Sequence, residues 1–131
     1  MAYLIDTCVF IDHLRGRLTS STSAWLERVA ASGEALTSVV VLHELLFGAR
    51  TPKAQGVVTA LLSAWEVLPV DRRTAELAAE LRRQEANRGI TVGMADSLIA
   101  ATALVYGLVV VTGNVKDFGA VAVVSPEEVA R

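Results

Sequence analysis

Apolar residues in this chain occur at two spacings: short continuous runs, and longer stretches with an apolar residue every three or four positions. The continuous runs predict buried β-strands at residues 3–6, 35–38, 66–70, 108–111 and 120–124. The helical spacing predicts helices over residues 8–14, 19–33, 39–48, 53–64, 71–88 and 94–106, with a terminal helical turn beginning at 125–128. Strands alternating with helices in this way predict an α/β fold with a mostly parallel central sheet.

The helix over 71–88 has the clearest amphipathic pattern of the chain. Its predicted apolar face consists of Ala75, Ala78, Leu81 and Ala86. Arginines and glutamates alternate on the remaining positions, and a mixture of this kind is typical of a solvated, ion-paired surface. The cations of this surface are Arg72, Arg73, Arg82, Arg83 and Arg88.

Composition limits the class of protein. The 131 residues are 53% hydrophobic and 20% charged, and no linker or repeat divides them, so we expect one domain over residues 1–131. No run reaches the roughly 18 apolar residues of a membrane span, and Asp6 interrupts what would be a signal peptide. We therefore expect a cytoplasmic protein with no membrane association. The single cysteine, Cys8, excludes an internal disulfide and is predicted to be a small buried apolar side chain.

Four carboxylates occur beside segments that are otherwise typical of a core. Asp6 ends the first strand, Glu44 and Asp96 interrupt apolar helices, and Asp117 follows the fourth strand. An ionised carboxylate removed from water is costly unless it is paired or bound to a metal. Because ligand sites in parallel sheets gather at the carboxyl ends of strands, these acids are able to meet at one edge.

Oxygen ligands of this kind favour a hard cation, which makes Mg²⁺ the expected metal and Mn²⁺ a possible substitute. Such ions activate water and orient a phosphodiester, so hydrolysis of a nucleic-acid backbone is a natural reaction. The net charge of −2 gives no general attraction to nucleic acid. Contacts to phosphate would instead come from local cations, namely Arg15, Arg17, Arg50, Lys53 and Lys116.

Four segments together resemble the motifs of one family. They are Asp6 to Gly16, Ser38 to Ala49, Arg88 to Ala101, and Leu108 to Phe118. In this order and spacing they resemble the PIN-domain ribonucleases, in particular the VapC toxins of bacterial VapBC toxin–antitoxin pairs. The resemblance implies a PIN-like α/β/α sandwich with a mostly parallel central sheet. It also implies Mg²⁺- or Mn²⁺-dependent endoribonuclease activity on tRNA, rRNA or mRNA, homodimerisation, and inhibition by a cognate VapB-type antitoxin.

The resemblance also assigns expected roles to individual residues. The metal-binding and catalytic acids would be Asp6, Glu44, Asp96 and Asp117. The polar supports for metal, water or phosphate would be Thr7, Thr112 and Asn114. It leaves open whether Asp117 touches the metal directly or through water. Helical spacing, by contrast, places Asp12 so that it would face away from the site, because it lies six residues beyond Asp6.

Each acid also has a structural alternative. Asp6 would serve as a helix cap, Glu44 as a solvated helix residue, Asp96 as an acid favoured by a helix N-terminus, and Asp117 as a turn residue. Histidines 13 and 43 are expected to have ordinary packing or surface roles, and Trp25 and Trp65 to pack in the core or at a dimer contact.

Two other functional classes compete with the nuclease. A non-catalytic PIN-like module would bind RNA or protein without cleaving. A phosphoacceptor receiver domain would need an aspartate at a middle strand, and residues 35–70 contain none. A dinucleotide-binding domain is disfavoured because no G-x-G-x-x-G follows the first strand.

Overall fold

The computed structural model describes residues 2–118 and 121–130, apart from the side chain of Asp117. Five strands form one sheet: β1 (Tyr3–Ile5), β2 (Ala35–Ser38), β3 (Val67–Leu68), β4 (Val109–Val111) and β5 (Val123–Val124). Their order is β3-β2-β1-β4-β5, and each neighbouring pair is parallel. The predicted α/β class is confirmed, with a parallel sheet flanked by helices.

The helices follow the predicted segments within a few residues. They are α1 (Thr7–Leu14), α2 (Ser20–Ser32), α3 (Val39–Gly48), α4 (Pro52–Leu62), α5 (Arg72–Asn87), α6 (Met94–Tyr106) and α7 (Pro126–Val129). A 3₁₀ turn at Val115–Phe118 was not predicted. The last strand begins at Val123, and Ala120, where it was predicted to start, lies outside the described residues. Within residues 2–118 and 121–130, no helix combines the length and apolar character needed to cross a membrane.

Polar side chains determine where several helices begin. The hydroxyl of Thr19 accepts a hydrogen bond from the Thr22 amide at the start of α2, and that of Ser38 accepts one from the Val41 amide at the start of α3. Each satisfies an amide that has no partner inside its helix. Ser38 therefore both ends β2 and starts the helix that carries Glu44.

The core lies on both faces of the central strand β1 and its neighbour β4. Leu4, Ile5, Val110 and Val111 are completely buried. Trp65 packs edge-on against Phe10, with ring centroids 5.0 Å apart. Trp25, also buried, packs in the same manner against Tyr3 at 5.5 Å. Both tryptophans therefore pack in the core, which was one of the two roles predicted for them.

The buried face of α5 differs from the predicted one. The helix buries Thr74, Ala78 and Glu85, whereas Ala75 and Ala86 are exposed, so the prediction was wrong at those two positions. The Asp71 carboxylate accepts hydrogen bonds from the Thr74 amide and hydroxyl, which allows that threonine to be buried. Alanine buries little apolar area, so burial of Ala75 and Ala86 would stabilise the helix only slightly. The hydrogen bonds between Thr74 and Asp71 therefore decide which face of α5 is buried.

The order of the strands brings two chain segments together. The chain proceeds from β1 outward to β2 and β3, then returns to the other side of β1 with β4 and β5. The change of direction lies between β1 and β4, whose carboxyl ends lead to Asp6 and Thr112. In open parallel sheets, this is the place where ligand sites form.

Candidate functional site

Asp6 lies directly after β1 and is only 5% exposed. Its Oδ1 atom accepts a hydrogen bond from the Thr7 amide at 2.8 Å, and its Oδ2 atom accepts one from the Thr112 hydroxyl at 2.8 Å. Asp6 is also the N-cap of α1, which confirms its structural alternative, while a metal-binding role for the same side chain remains a prediction. Because both oxygens are held, the orientation of the carboxylate is fixed.

Burial raises the pKa of Asp6 above its ordinary value, since the charged form loses hydration. The hydrogen bonds from Thr112 and Thr7 oppose this rise in pKa because they stabilise the carboxylate, and the negative charge of Glu44 adds to it. Two carboxylates therefore lie close enough to repel each other at this edge of the sheet.

Thr7 links the two acids. Its amide donates to Asp6, and its hydroxyl donates to Oε1 of Glu44 at 2.7 Å. Glu44 itself lies half-buried on α3. One residue of α1 thus fixes the distance between a carboxylate that follows β1 and another from a separate helix.

Thr112 supports Asp6 from the neighbouring strand. The side chain is completely buried, and its hydroxyl also accepts a hydrogen bond from the Asn114 amide at 3.0 Å. Asn114 therefore contributes its backbone amide to this contact, and the residue itself is exposed. The hydroxyl of Thr112 orders the turn after β4 and holds Asp6 at the same time.

Cys8 differs from its predicted role as a buried apolar filler. The thiol is half-buried, lies 3.5 Å from Oδ2 of Asp6, and accepts a hydrogen bond from the Gly113 amide at 3.3 Å. Its position two residues after Asp6, on the first turn of α1, places it beside the turn that follows β4. The residues next to Cys8 in the sequence, Thr7 and Val9, give no signal of this contact, because Gly113 lies 105 positions away.

The other two predicted acids are described less completely. Asp96 lies half-buried in the first turn of α6. The backbone of Asp117 belongs to the 3₁₀ turn, but its side chain lies outside the described part of the structure. The metal-binding roles of all four acids remain predictions.

The described residues fit a divalent cation in part. No Lys or Arg in residues 2–118 and 121–130 forms a salt bridge with Asp6 or Glu44, so these two carboxylates are not neutralised by an ion pair there. No three His, Cys, Asp or Glu side chains of the same ranges are grouped closely enough to hold a metal on their own. Mg²⁺ is commonly held by only one or two carboxylates together with water and phosphate, so the pair suits that ion.

Replacing Thr7 by valine should reduce any catalysis that depends on this pair by about ten- to a hundredfold. Valine keeps the backbone amide that donates to the Asp6 carboxylate but removes the hydroxyl that orients Glu44. The comparison is the initial rate of RNA cleavage by Thr7→Val, Thr7→Ser and the original chain. Serine retains the hydroxyl and should remain within a fewfold of the original, whereas equal rates for valine and serine would contradict a role for this hydrogen bond.

Two apolar grooves meet at Glu44. One lies between α1, α3 and α4, has a volume of about 380 Å³, and is lined mostly by Ile11, Leu14, Leu45, Val57 and Val58, with Arg15 among its few polar residues. The other lies between α3 and α6, has a volume of about 530 Å³, and includes Val39, His43, Phe47, Met94 and Leu98. His43 is exposed and stacks on Phe47, which agrees with its predicted surface role.

Comparison with known proteins adds independent evidence. A model of the PIN domain matches residues 3–124. The tRNA(fMet)-specific endonuclease VapC of Salmonella typhimurium is 33% identical in an alignment of length 129 that covers 90% of each chain. Ribonuclease VapC10 of Mycobacterium tuberculosis is 36% identical over 115 residues, which cover 88% of this chain and 84% of that protein.

Solved structures show the same fold. FitAcB from Neisseria gonorrhoeae superimposes with a TM-score of 0.81 at 28% identity, covering 95% of this chain and 98% of that one. DNA-bound VapBC from Salmonella typhimurium gives a TM-score of 0.78 at 26% identity, covering 96% and 98%. Sequence and fold agree, and the chain therefore belongs to the PIN-domain family as a relative of the VapC ribonucleases.

Proposed function

We propose that this protein is a metal-dependent endoribonuclease of the VapC type, which hydrolyses phosphodiester bonds of RNA in the cytoplasm. The observation that carries the proposal is the buried Asp6 carboxylate, held by Thr7 and Thr112 and placed next to Glu44. Its relatives include proteins named as ribonucleases and as a tRNA(fMet)-specific endonuclease, which supports RNA as the substrate.

The metal would be held by Asp6, Glu44 and Asp96, with Asp117 completing the set directly or through water. Mg²⁺ is the preferred ion, and Mn²⁺ is its possible substitute, because the proposed ligands are all oxygens. When bound, such an ion lowers the pKa of a coordinated water and offsets charge on the phosphate.

The protein's own residues supply orientation. Thr112 and Thr7 hold the Asp6 carboxylate in one orientation before any substrate arrives. Thr7 fixes Glu44 through its hydroxyl, so that both carboxylates are preorganised. Preorganised charge requires no rearrangement during the reaction, which is a large part of catalytic efficiency.

A VapB-type antitoxin is the proposed inhibitor. Structures similar to this chain include a VapBC complex and a toxin–antitoxin complex from Klebsiella pneumoniae. The groove between α1, α3 and α4 would accept an apolar segment of such a partner, and Glu44 at its end would meet an inserted Arg or Lys. Homodimerisation, which the resemblance to this family implies, is also proposed for this chain.

Purified protein should cleave a mixed pool of tRNA, rRNA and mRNA in Mg²⁺ or Mn²⁺ and should not cleave it in EDTA. The variant Asp96→Asn should lose cleavage while remaining folded, because asparagine keeps the shape of the side chain without its charge. Asp12→Asn is the matched control: Asp12 lies on α1, and its ion pair is with Arg17 at 4.0 Å. The control should cleave at the original rate.

Metal-independent cleavage, or full activity in Asp96→Asn, would refute the proposal. If no condition gives cleavage but the protein binds RNA, the non-catalytic PIN-like module becomes the better description.

A further inference from the structure

Arg82 on α5 makes a contact unlike those of its neighbours. Its Nε atom donates a hydrogen bond to the backbone carbonyl of Val92 at 3.0 Å. By contrast, Arg72, Arg83 and Arg88 pair with glutamates of the same helix. Arg82 therefore joins α5 to the connection that leads into α6, whereas the general prediction for these arginines was a solvated, ion-paired face.

The connection between α5 and α6 has few other restraints. Residues 88–93 are exposed except for the half-buried Val92. The first half is held by the Ile90 amide, which donates to the Glu85 carbonyl at 2.9 Å. At the other end, Gly93 caps α6 without a side-chain hydrogen bond. The second half of the connection is thus fastened to α5 by Arg82.

The start of α6 matters because Asp96 lies in its first turn. The helix begins at Met94, directly after Gly93, and the Ser97 amide donates to the Gly93 carbonyl at 3.0 Å. Gly93 therefore belongs to the first turn of α6, and a shift of Val92, which is bonded directly to Gly93, acts on the residue that begins this turn. Such a shift would carry the carboxylate of Asp96 away from the edge where Asp6 and Glu44 are fixed.

We propose that Arg82 is a positioning residue, which holds Val92 so that α6 begins where Asp96 can act together with Asp6 and Glu44. The inference rests on the proposed function, because it assumes that Asp96 belongs to the site. An exposed hydrogen bond contributes little to global stability, since water replaces it readily on unfolding. A misplacement of about 1 Å in a catalytic group, however, can reduce a rate by about a hundredfold.

The test compares Arg82→Met, Arg82→Lys and the control Arg72→Met in the full chain. Methionine keeps an unbranched stem of similar length without a donor, and lysine retains a donor. Hydrogen exchange of the Ile90 and Ser97 amides in metal-free protein reports on the connection itself. Paramagnetic broadening of the Asp96 amide by Mn²⁺ reports on metal binding, and initial rates report on RNA cleavage.

In Arg82→Met, the Ser97 amide should exchange about tenfold faster than in the original protein. The variant should also bind Mn²⁺ about tenfold more weakly and cleave RNA about thirtyfold more slowly. Its Tm should remain within about 2 °C of the original value. Arg82→Lys should recover cleavage to within about threefold, and Arg72→Met should match the original protein in every measurement.

Cleavage by Arg82→Met within twofold of the original would overturn the proposal. Slower cleavage with unchanged exchange and unchanged Mn²⁺ binding would also overturn it, because Arg82 would then act on RNA directly. If the original protein cleaves no RNA, the proposed function fails, but exchange and Mn²⁺ binding still decide whether Arg82 positions Asp96.

Discussion

Asp6→Asn should abolish RNA cleavage, by about a thousandfold or more, without destabilising the metal-free protein at neutral pH. Asparagine has the same shape and can still accept from the Thr7 amide, while the Thr112 hydroxyl can accept from the new amide group. What is lost is the charge that would hold the metal, and no other side chain supplies that charge from the end of β1.

The effect on stability follows from the direction of the pKa shift. Because burial raises the pKa of Asp6, the folded protein binds a proton more tightly than the unfolded chain does. The charged carboxylate therefore lowers the free energy of unfolding at pH values above its raised pKa. This penalty shrinks as the pH falls through the raised pKa and vanishes below the ordinary carboxyl pKa.

Urea unfolding in EDTA across a series of pH values measures this penalty. The difference in unfolding free energy between Asp6→Asn and the original chain should grow as the pH rises between the ordinary and the raised pKa, then remain constant. Mg²⁺ or Mn²⁺ should raise the Tm of the original chain and leave that of the variant unchanged. Asp12→Asn is the control. If Asp6→Asn became less stable relative to the original chain as the pH rises, the pKa of Asp6 would be lowered and not raised by folding.

Thr112→Val should reduce both stability and cleavage. Valine has nearly the same volume, but without the hydroxyl, Oδ2 of Asp6 loses its 2.8 Å donor and the Asn114 amide loses its acceptor. A buried charged group left short of a partner costs about 2 to 3 kcal/mol in the free energy of unfolding. We expect cleavage to fall about a hundredfold because Asp6 is no longer held in one orientation.

Thr102→Val provides a matched control for this substitution. Thr102 is equally buried, but its hydroxyl donates to the Leu98 carbonyl within its own helix, so its removal leaves no charged group without a donor. The two valine variants should therefore differ clearly in urea unfolding at neutral pH, and Thr112→Ser should remain close to the original. Equal stability of the two valine variants would show that the hydroxyl of Thr112 does not support Asp6.

The sequence alone predicted most of the elements because apolar spacing reports burial along a single helix or strand. Strand β2 was predicted at residues 35–38 and is Ala35–Ser38, and α6 was predicted at 94–106 and is Met94–Tyr106. The position of Asp6 directly after an apolar strand likewise indicated a site at the sheet edge. In each of these cases, the information lies in residues close together in the chain.

The rotation of α5 and the contacts of Cys8 were not predictable in the same way. Thr74 is buried because the Asp71 carboxylate satisfies it, a contact that competes with the weak apolar signal of Ala75 and Ala86. The thiol of Cys8 is placed beside the turn after β4 by the pairing of β1 with β4. Local hydropathy contains no information about either contact.

The sequence by itself therefore determined the class of fold and the order of its elements, and it predicted which acids form the site. The tertiary structure decided which partners fix them: the Thr112 hydroxyl reaches Asp6 across 106 positions of the chain, and that of Thr7 reaches Glu44 across 37. The physical reason is that apolar burial is a property of single residues and their spacing, whereas a hydrogen bond requires two groups within about 3 Å in the right direction. Only the parallel pairing of β1 with β4, and the packing of α3 beside α1, bring those groups together.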